Sequence, residues 1–153
     1  MVKINNGSSP FPSTCFIDSD VIINWLAQEL DPSSNKPLWE APHKIIKLIE
    51  TKKIIGYTTL LNILEIRFVL RRKKGLTDHR INEDIDKLIN LLRIAIPDEI
   101  VLLEANNLQI QIPFSPFDAI LVATGISLEN AALLSRDKNL ITLANKFLPA
   151  MTP

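Results

Sequence analysis

The 153-residue chain has one cysteine, Cys15. That excludes an intrachain disulfide and a Cys-rich zinc site, and within the apolar run Cys15-Phe16-Ile17 the thiol reads as a small core residue. Histidine is nearly as scarce: His43 and His79 are the two present. Neither lies beside the acids singled out below. No excess of one charge exists either, because 17 Lys and Arg balance 17 Asp and Glu. A net charge of zero gives no overall pull toward nucleic acid, so any such binding must use a local basic patch. No apolar run approaches the length that spans a bilayer. The segment Met1 to Thr14 is polar and contains proline, unlike a secretory signal. These absences leave a soluble, cytoplasmic protein without a membrane span as the expectation.

What is present suits one compact domain. Apolar residues make up 46% of the chain, enough to build a real core. Mean hydropathy is +0.15, slightly apolar, which hints at a surface covered by a partner. Residues 1–13 concentrate Gly, Ser and Pro and read as a flexible arm ahead of a single domain over 14–153. Thr14 to Ile17 reads as a buried strand and Asp18 to Glu29 as a helix, with Val21, Trp25 and Leu26 on one side. A loop at 31–36 precedes a helix over 39–53 and a strand over 54–57. The next helix covers 58–72. The segment 78–92 is the cleanest amphipathic helix, because Ile81, Ile85, Leu88 and Leu92 recur at intervals of 4, 3 and 4. A strand over 93–96, a helix over 98–109, a helix from Ser115 to Gly125, a strand over 131–134 and a helix over 138–146 complete the order. Strands alternate with helices, and each strand run is apolar throughout rather than alternating. That pattern predicts an α/β fold with a parallel sheet covered on both faces.

Ligands of open parallel sheets bind at the carboxyl ends of the strands. Asp18 follows the first strand directly, with Asp20 close behind. Asp137 follows Leu133-Leu134-Ser135, at the same edge. Asp118 lies in the first turn of the helix that leads into that late strand. Glu65 lies within a helix among Leu61, Leu64, Ile66 and Phe68, where a carboxylate is unfavourable unless something pairs with it. Arg67, Arg71 or Arg72 could do so. Without a nearby His or Cys the cluster offers oxygen ligands alone, which suits Mg²⁺ or Mn²⁺ rather than zinc. Carboxylates around such ions are the equipment for phosphodiester hydrolysis. Each acid also has a structural role open to it. Asp18 and Asp137 can cap the helices that follow them, and Ser115-Pro116-Phe117-Asp118 spells a helix start with Ser as cap, Pro first and an acid third. Taken singly, Asp118 and Asp137 read as caps; as a set, independent caps have no reason to meet at one sheet edge.

Four segments resemble the motifs of PIN domains, in the order in which that family carries them. Phe16-Ile17-Asp18-Ser19-Asp20-Val21 resembles the opening strand that ends in Asp. Thr58-Thr59-Leu60-Leu61-Asn62-Ile63-Leu64-Glu65 resembles the segment with the helix-borne Glu. Pro116-Phe117-Asp118-Ala119-Ile120-Leu121-Val122-Ala123-Thr124 is similar to the third acidic motif, and Leu133-Leu134-Ser135-Arg136-Asp137 to the fourth. The resemblance implies a three-layer α/β/α sandwich with a central parallel sheet. It implies a ribonuclease whose Mg²⁺ or Mn²⁺ is held by Asp18, Glu65, Asp118 and Asp137, with Ser19, Asp20 and Ser135 in support. The small size resembles the VapC toxins, which implies a homodimer, an RNA substrate and a VapB-like antitoxin that blocks the site. Against the family pattern, Gly125 is expected to end its helix early, and the strand before Pro153 to be short or missing.

Among basic residues, Arg67, Arg71, Arg72, Lys73 and Lys74 are densest and suit a solvated helix end, where the helix dipole favours cations. Arg136 and Lys138 flank Asp137 and are better placed to touch a phosphate backbone, with Arg71 and Arg72 as further RNA contacts. Two other functions compete. A haloacid-dehalogenase-like phosphatase would use Asp18 and Asp20 but gives no role to Glu65 or Asp118. A non-catalytic PIN-fold binding or scaffold module would use the acids as caps and ion-pair partners.

Overall fold

Five short strands line up in parallel in the order β3-β2-β1-β4-β5: β1 (Thr14–Ile17), β2 (Ile55–Thr59), β3 (Arg93–Ala95), β4 (Ala132–Leu134) and β5 (Ala150–Met151). The structure is a computed structural model, and it describes residues 9–153. Seven helices connect the strands: α1 (Ser19–Leu26), α2 (Glu40–Glu50), α3 (Leu60–Arg72), α4 (Asp78–Leu91), α5 (Glu99–Gln111), α6 (Pro116–Ser127) and α7 (Lys138–Ala144).

Successive side chains of a strand point to opposite faces, so an all-apolar strand feeds two cores. Cys15 and Ile17 of β1 and Leu134 of β4 join α1 to α4 in one core. Phe16 and Leu133 join α5, α6 and α7 in the other. The result is a three-layer α/β/α sandwich. The amphipathic stripe of α4 behaves as its spacing predicts, with Ile81, Ile85 and Leu88 at most 1% exposed. Helix α5 does not: it is apolar on both faces, and Ile100, Leu103 and Ile110 stay 67 to 77% exposed.

The structure departs from the sequence expectations at the start of the chain and at Gly125. Residues 1–8 of the expected arm lie outside the described residues. Beyond them, Phe11 packs against the α1–α4 core, Pro12 is buried, and the carbonyl of Ser13 accepts from the Ile55 N–H at 2.9 Å. Gly125 does not end its helix, which runs on to Ser127. Its lack of a side chain instead lets α6 sit close to the sheet layer, since a Cβ there would lie 2.7 Å from Leu148 Cδ1 and 3.1 Å from Phe16 Cδ1. The last strand is short, in line with expectation: its two residues, Ala150 and Met151, pair with β4.

Chain order reverses across the β1/β4 pair, where Cys15, Phe16 and Ile17 register with Ala132, Leu133 and Leu134. A crevice at the carboxyl ends of strands is expected at such a switch point. The Asp18 N–H continues the ladder by donating to the Leu134 carbonyl at 2.9 Å. This fixes the loops after β1 and β4 side by side.

Candidate active site

At that edge lies an open cavity of about 200 Å³, and the acids from four separate segments line it: Asp18, Glu65, Asp118 and Asp137, with Asp20 beside them. Each is delivered by a helix start or a helix face. Asp18 is the N-cap of α1, and its Oδ1 accepts from the Ser19 N–H at 2.8 Å. Asp137 is the N-cap of α7, with Oδ1 accepting from Asn139 and Leu140 N–H groups at 2.9 and 3.0 Å. Asp118 occupies the third position of α6 behind the Ser115 cap and Pro116. For Asp18 and Asp137 the capping role and the shared cavity therefore hold together, because each cap uses Oδ1 and the side chain has a second oxygen, whereas Asp118 gives its backbone N–H to the Ser115 cap.

Supporting hydrogen bonds converge on Asp18. Ser135 Oγ donates to Asp18 Oδ2 at 2.8 Å and lies 3.4 Å from Asp20 Oδ2. Asn62 Nδ2 reaches Asp18 Oδ1 at 3.3 Å. Asn62 is held by a capping box with Thr59, whose Oγ1 donates to Asn62 Oδ1 at 2.6 Å. Ser19 Oγ donates to Glu65 Oε2. The loop after β4 closes the set: the Arg136 N–H donates to Asp20 Oδ2 at 2.9 Å, and the Asp137 N–H to Ser135 Oγ at 3.1 Å.

The electrostatics of this arrangement are those of negative charge lacking compensation. Burial, chiefly, pushes the Asp18 carboxyl from 3.8 up to about 7; the nearby Asp20 and Glu65 carboxylates add to this, and the Ser135 and Ser19 hydrogen bonds oppose it. Burial also raises Asp20, against the pull of the Arg136 N–H and guanidinium. Asp20 Oδ1 is buried without a hydrogen-bond partner. Crowded carboxylates of this kind are relieved by a proton or a cation. Because the charged donors facing the cavity are oxygens, the residues fit a hard divalent ion. Among the described residues, no three His, Cys, Asp or Glu side chains form a closed ligand set as they stand.

The placement of Glu65, of Arg71 and Arg72, and of Arg136 differs from expectation. Glu65 is not buried among the apolar residues of α3. It is exposed, and its neighbours Leu64 and Phe68 are 57 and 58% exposed, so nothing there demands an ion-pair partner. Arg67 bonds Asn82 instead, and Arg71 pairs with Asp78 at 2.8 Å. Arg71 and Arg72 lie six and seven residues beyond Glu65, roughly 9 to 10.5 Å along the helix, and do not line the cavity. Arg136, expected at a phosphate, turns its guanidinium away from the cavity: Nη2 donates to the Leu38 carbonyl at 2.8 Å and Nε to Asn24 Oδ1 at 3.2 Å. Lys138 is exposed beside it. Among the lining residues, Thr59, Asn62 and Phe117 were not singled out from sequence. Thr59-Leu60-Leu61-Asn62 does carry the signal of a capping box, with Asn at the third helical position.

Comparison with known proteins agrees with this geometry. The chain's fold matches that of a chain in the crystal structure of VapBC2 from Rickettsia felis bound to a promoter DNA fragment. The TM-score is 0.65 at 10% identity, covering 92% of this chain and 98% of that one. It also matches chains in the structures of FitAcB from Neisseria gonorrhoeae (TM-score 0.62, 18% identity, 91% and 97% covered) and of PAE2754 from Pyrobaculum aerophilum (0.61, 14%, 90% and 88%). No curated protein matches the chain. The family model of the PIN domain matches residues 15–146, which includes all four acids. The chain therefore belongs to the PIN domain family, whose members are generally nucleases that use divalent metal ions.

Proposed function

We propose that this chain is an endoribonuclease that hydrolyses RNA phosphodiester bonds with Mg²⁺ or Mn²⁺ held by Asp18, Glu65, Asp118 and Asp137. The observation that carries the proposal is the meeting of these four acids, from four segments, in one cavity at the β1/β4 switch point. When bound, the ion would lower the pKa of a water and neutralise charge on the scissile phosphate. The chain's own contribution is placement. Ser135 and the Ser19 N–H orient Asp18, Ser19 orients Glu65, and the first turns of α6 and α7 present Asp118 and Asp137. The phosphatase alternative loses support, because it needs a lysine and no lysine lines the cavity among the described residues.

The toxin reading rests on the small size, which resembles that of the VapC toxins, and the fold shared with the VapBC2 and FitAcB chains is in keeping with it. A VapB-like antitoxin and a homodimer belong to that reading, as does a cytoplasmic location. The exposed apolar residues of α5 and Phe117 of α6 (65% exposed) favour some covering partner. No single helix among the described residues is long and apolar enough to cross a membrane.

The test is incubation of a mixed RNA pool with Mg²⁺ or Mn²⁺, beside an EDTA control and the Asp118→Asn variant. Cleavage that needs both the metal and Asp118 is the expected result. A folded protein that neither cleaves RNA nor takes up metal in calorimetry would instead be a non-catalytic binding module.

A further inference from the structure

Arg136 sits between two residues of the acid site, yet its side chain reaches into a separate cleft lined by Asn24, Leu38, Lys138 and Thr152. Arginine's guanidinium is a rigid planar fork that can hold several acceptors at once. Here it holds acceptors from three parts of the chain: the Leu38 carbonyl ahead of α2 at 2.8 Å, Asn24 Oδ1 of α1 at 3.2 Å, and more loosely the Pro153 carbonyl at 3.5 Å. Asn24 is itself fixed, with Nδ2 donating to Glu29 Oε2 at 2.6 Å, and Glu29 pairs with Lys74 at the end of α3. On its other side, the same residue's backbone N–H donates to Asp20 Oδ2. Next to it, the Asp137 N–H donates to Ser135 Oγ, the hydroxyl that bonds Asp18.

We propose that Arg136 is a positioning residue for the acid site rather than a contact to RNA. Anchored from behind by its guanidinium, the turn between β4 and α7 has little freedom. Its two N–H groups and the Asp137 carboxylate are thereby held toward Asp20, Ser135 and the cavity. Lysine, a single ammonium on a flexible stem, keeps the charge but cannot span these acceptors. The proposal rests on the metal-site reading above, and it concerns how the site is held together.

The experiment compares wild type, Arg136→Lys, Arg136→Gln and Asn24→Ala. Mn²⁺ affinity is read by electron paramagnetic resonance without RNA, and RNA affinity as a function of salt is read with the metal chelated. Removing supports behind a metal ligand typically weakens binding about 10- to 100-fold. Both Arg136 variants should show a loss of that order, Asn24→Ala a smaller one, and none should change the salt dependence of RNA binding. A phosphate contact would behave oppositely: Arg136→Lys would retain RNA affinity, Arg136→Gln would reduce the salt slope by about 1, and Mn²⁺ affinity would hold. That pattern overturns the proposal. Normal Mn²⁺ affinity in all three variants overturns it too, while leaving the nuclease reading intact. If Arg136 variants fail to fold by circular dichroism, Asn24→Ala decides alone: unaltered Mn²⁺ affinity there counts against the clamp. A wild type that binds no Mn²⁺ removes the metal-site reading and this proposal together.

Discussion

Replacing Asp18 with Asn should make the metal-free protein more stable at pH 8 while destroying metal binding. The carboxyl is pushed from 3.8 up to about 7, by burial first and by neighbouring carboxylates second. A carboxyl raised in the folded state contributes stability that is fully present below its unfolded value and is lost as pH rises through the folded one. Wild type in EDTA should therefore weaken between about pH 4 and pH 7. At about 1.36 kcal/mol per pH unit, the interval from 3.8 to about 7 sets a ceiling of about 4 kcal/mol. Asn carries no charge to lose, and its amide can keep the contacts: the oxygen accepts from the Ser19 N–H, and the nitrogen can donate to Ser135 Oγ. A gain of about 2–4 kcal/mol at pH 8 is expected, or about 5–15 °C in Tm for a domain of this size. Asp20, raised in the same direction, leaves the variant a shallower slope of the same sign. The assay is thermal unfolding of both proteins from pH 4 to 8 in EDTA, repeated with Mn²⁺. Added ion should raise the Tm of wild type by mass action and leave the variant unmoved. If Asp18→Asn is instead less stable than wild type at pH 8 in EDTA, Asp18 is a compensated helix cap, and the crowded-charge account of the site fails.

Glu65→Gln should change metal-free stability by less than about 0.5 kcal/mol, because the side chain is exposed, yet weaken Mn²⁺ binding in a calorimetric titration. A collapse of stability in metal-free buffer would make Glu65 a structural partner. Asn62→Asp would place a further carboxylate where Nδ2 now lies 3.3 Å from Asp18 Oδ1. Its loss of metal-free stability between pH 5 and 8 should be steeper than that of wild type. An unchanged pH profile in denaturant titrations would mean that Asn62 and Asp18 are not coupled.

Much of the fold was legible in sequence because its signals are local. The intervals of 4, 3 and 4 in α4 state which face is buried, and an all-apolar strand states that both faces of the sheet are covered. The helix start Ser115-Pro116-Phe117-Asp118 is written within four residues, and the structure reproduces it. Asp18 and Asp137 were legible for the same reason, since Asp18 directly follows β1 and Asp137 comes three residues after the end of β4. That Gly125 accommodates packing rather than ending α6 depended on Phe16 and Leu148, which come from elsewhere in the chain.

By itself the sequence determined the alternation of strands and helices, the parallel sheet and the ordered set of acids, because propensity, periodicity and capping act over a few residues. Tertiary structure alone decided which way side chains between those signals turn. Glu65 lies on an exposed flank of α3, which no helical spacing distinguishes from a buried flank when both are apolar. Arg136 faces away from the acids because its acceptors, Leu38 and Asn24, lie 98 and 112 residues earlier and are brought behind it by the fold. The raised Asp18 carboxyl has the same origin in part: burial disfavours its charge first, Asp20 close in sequence second, and Glu65 adds to this once α3 packs against α1.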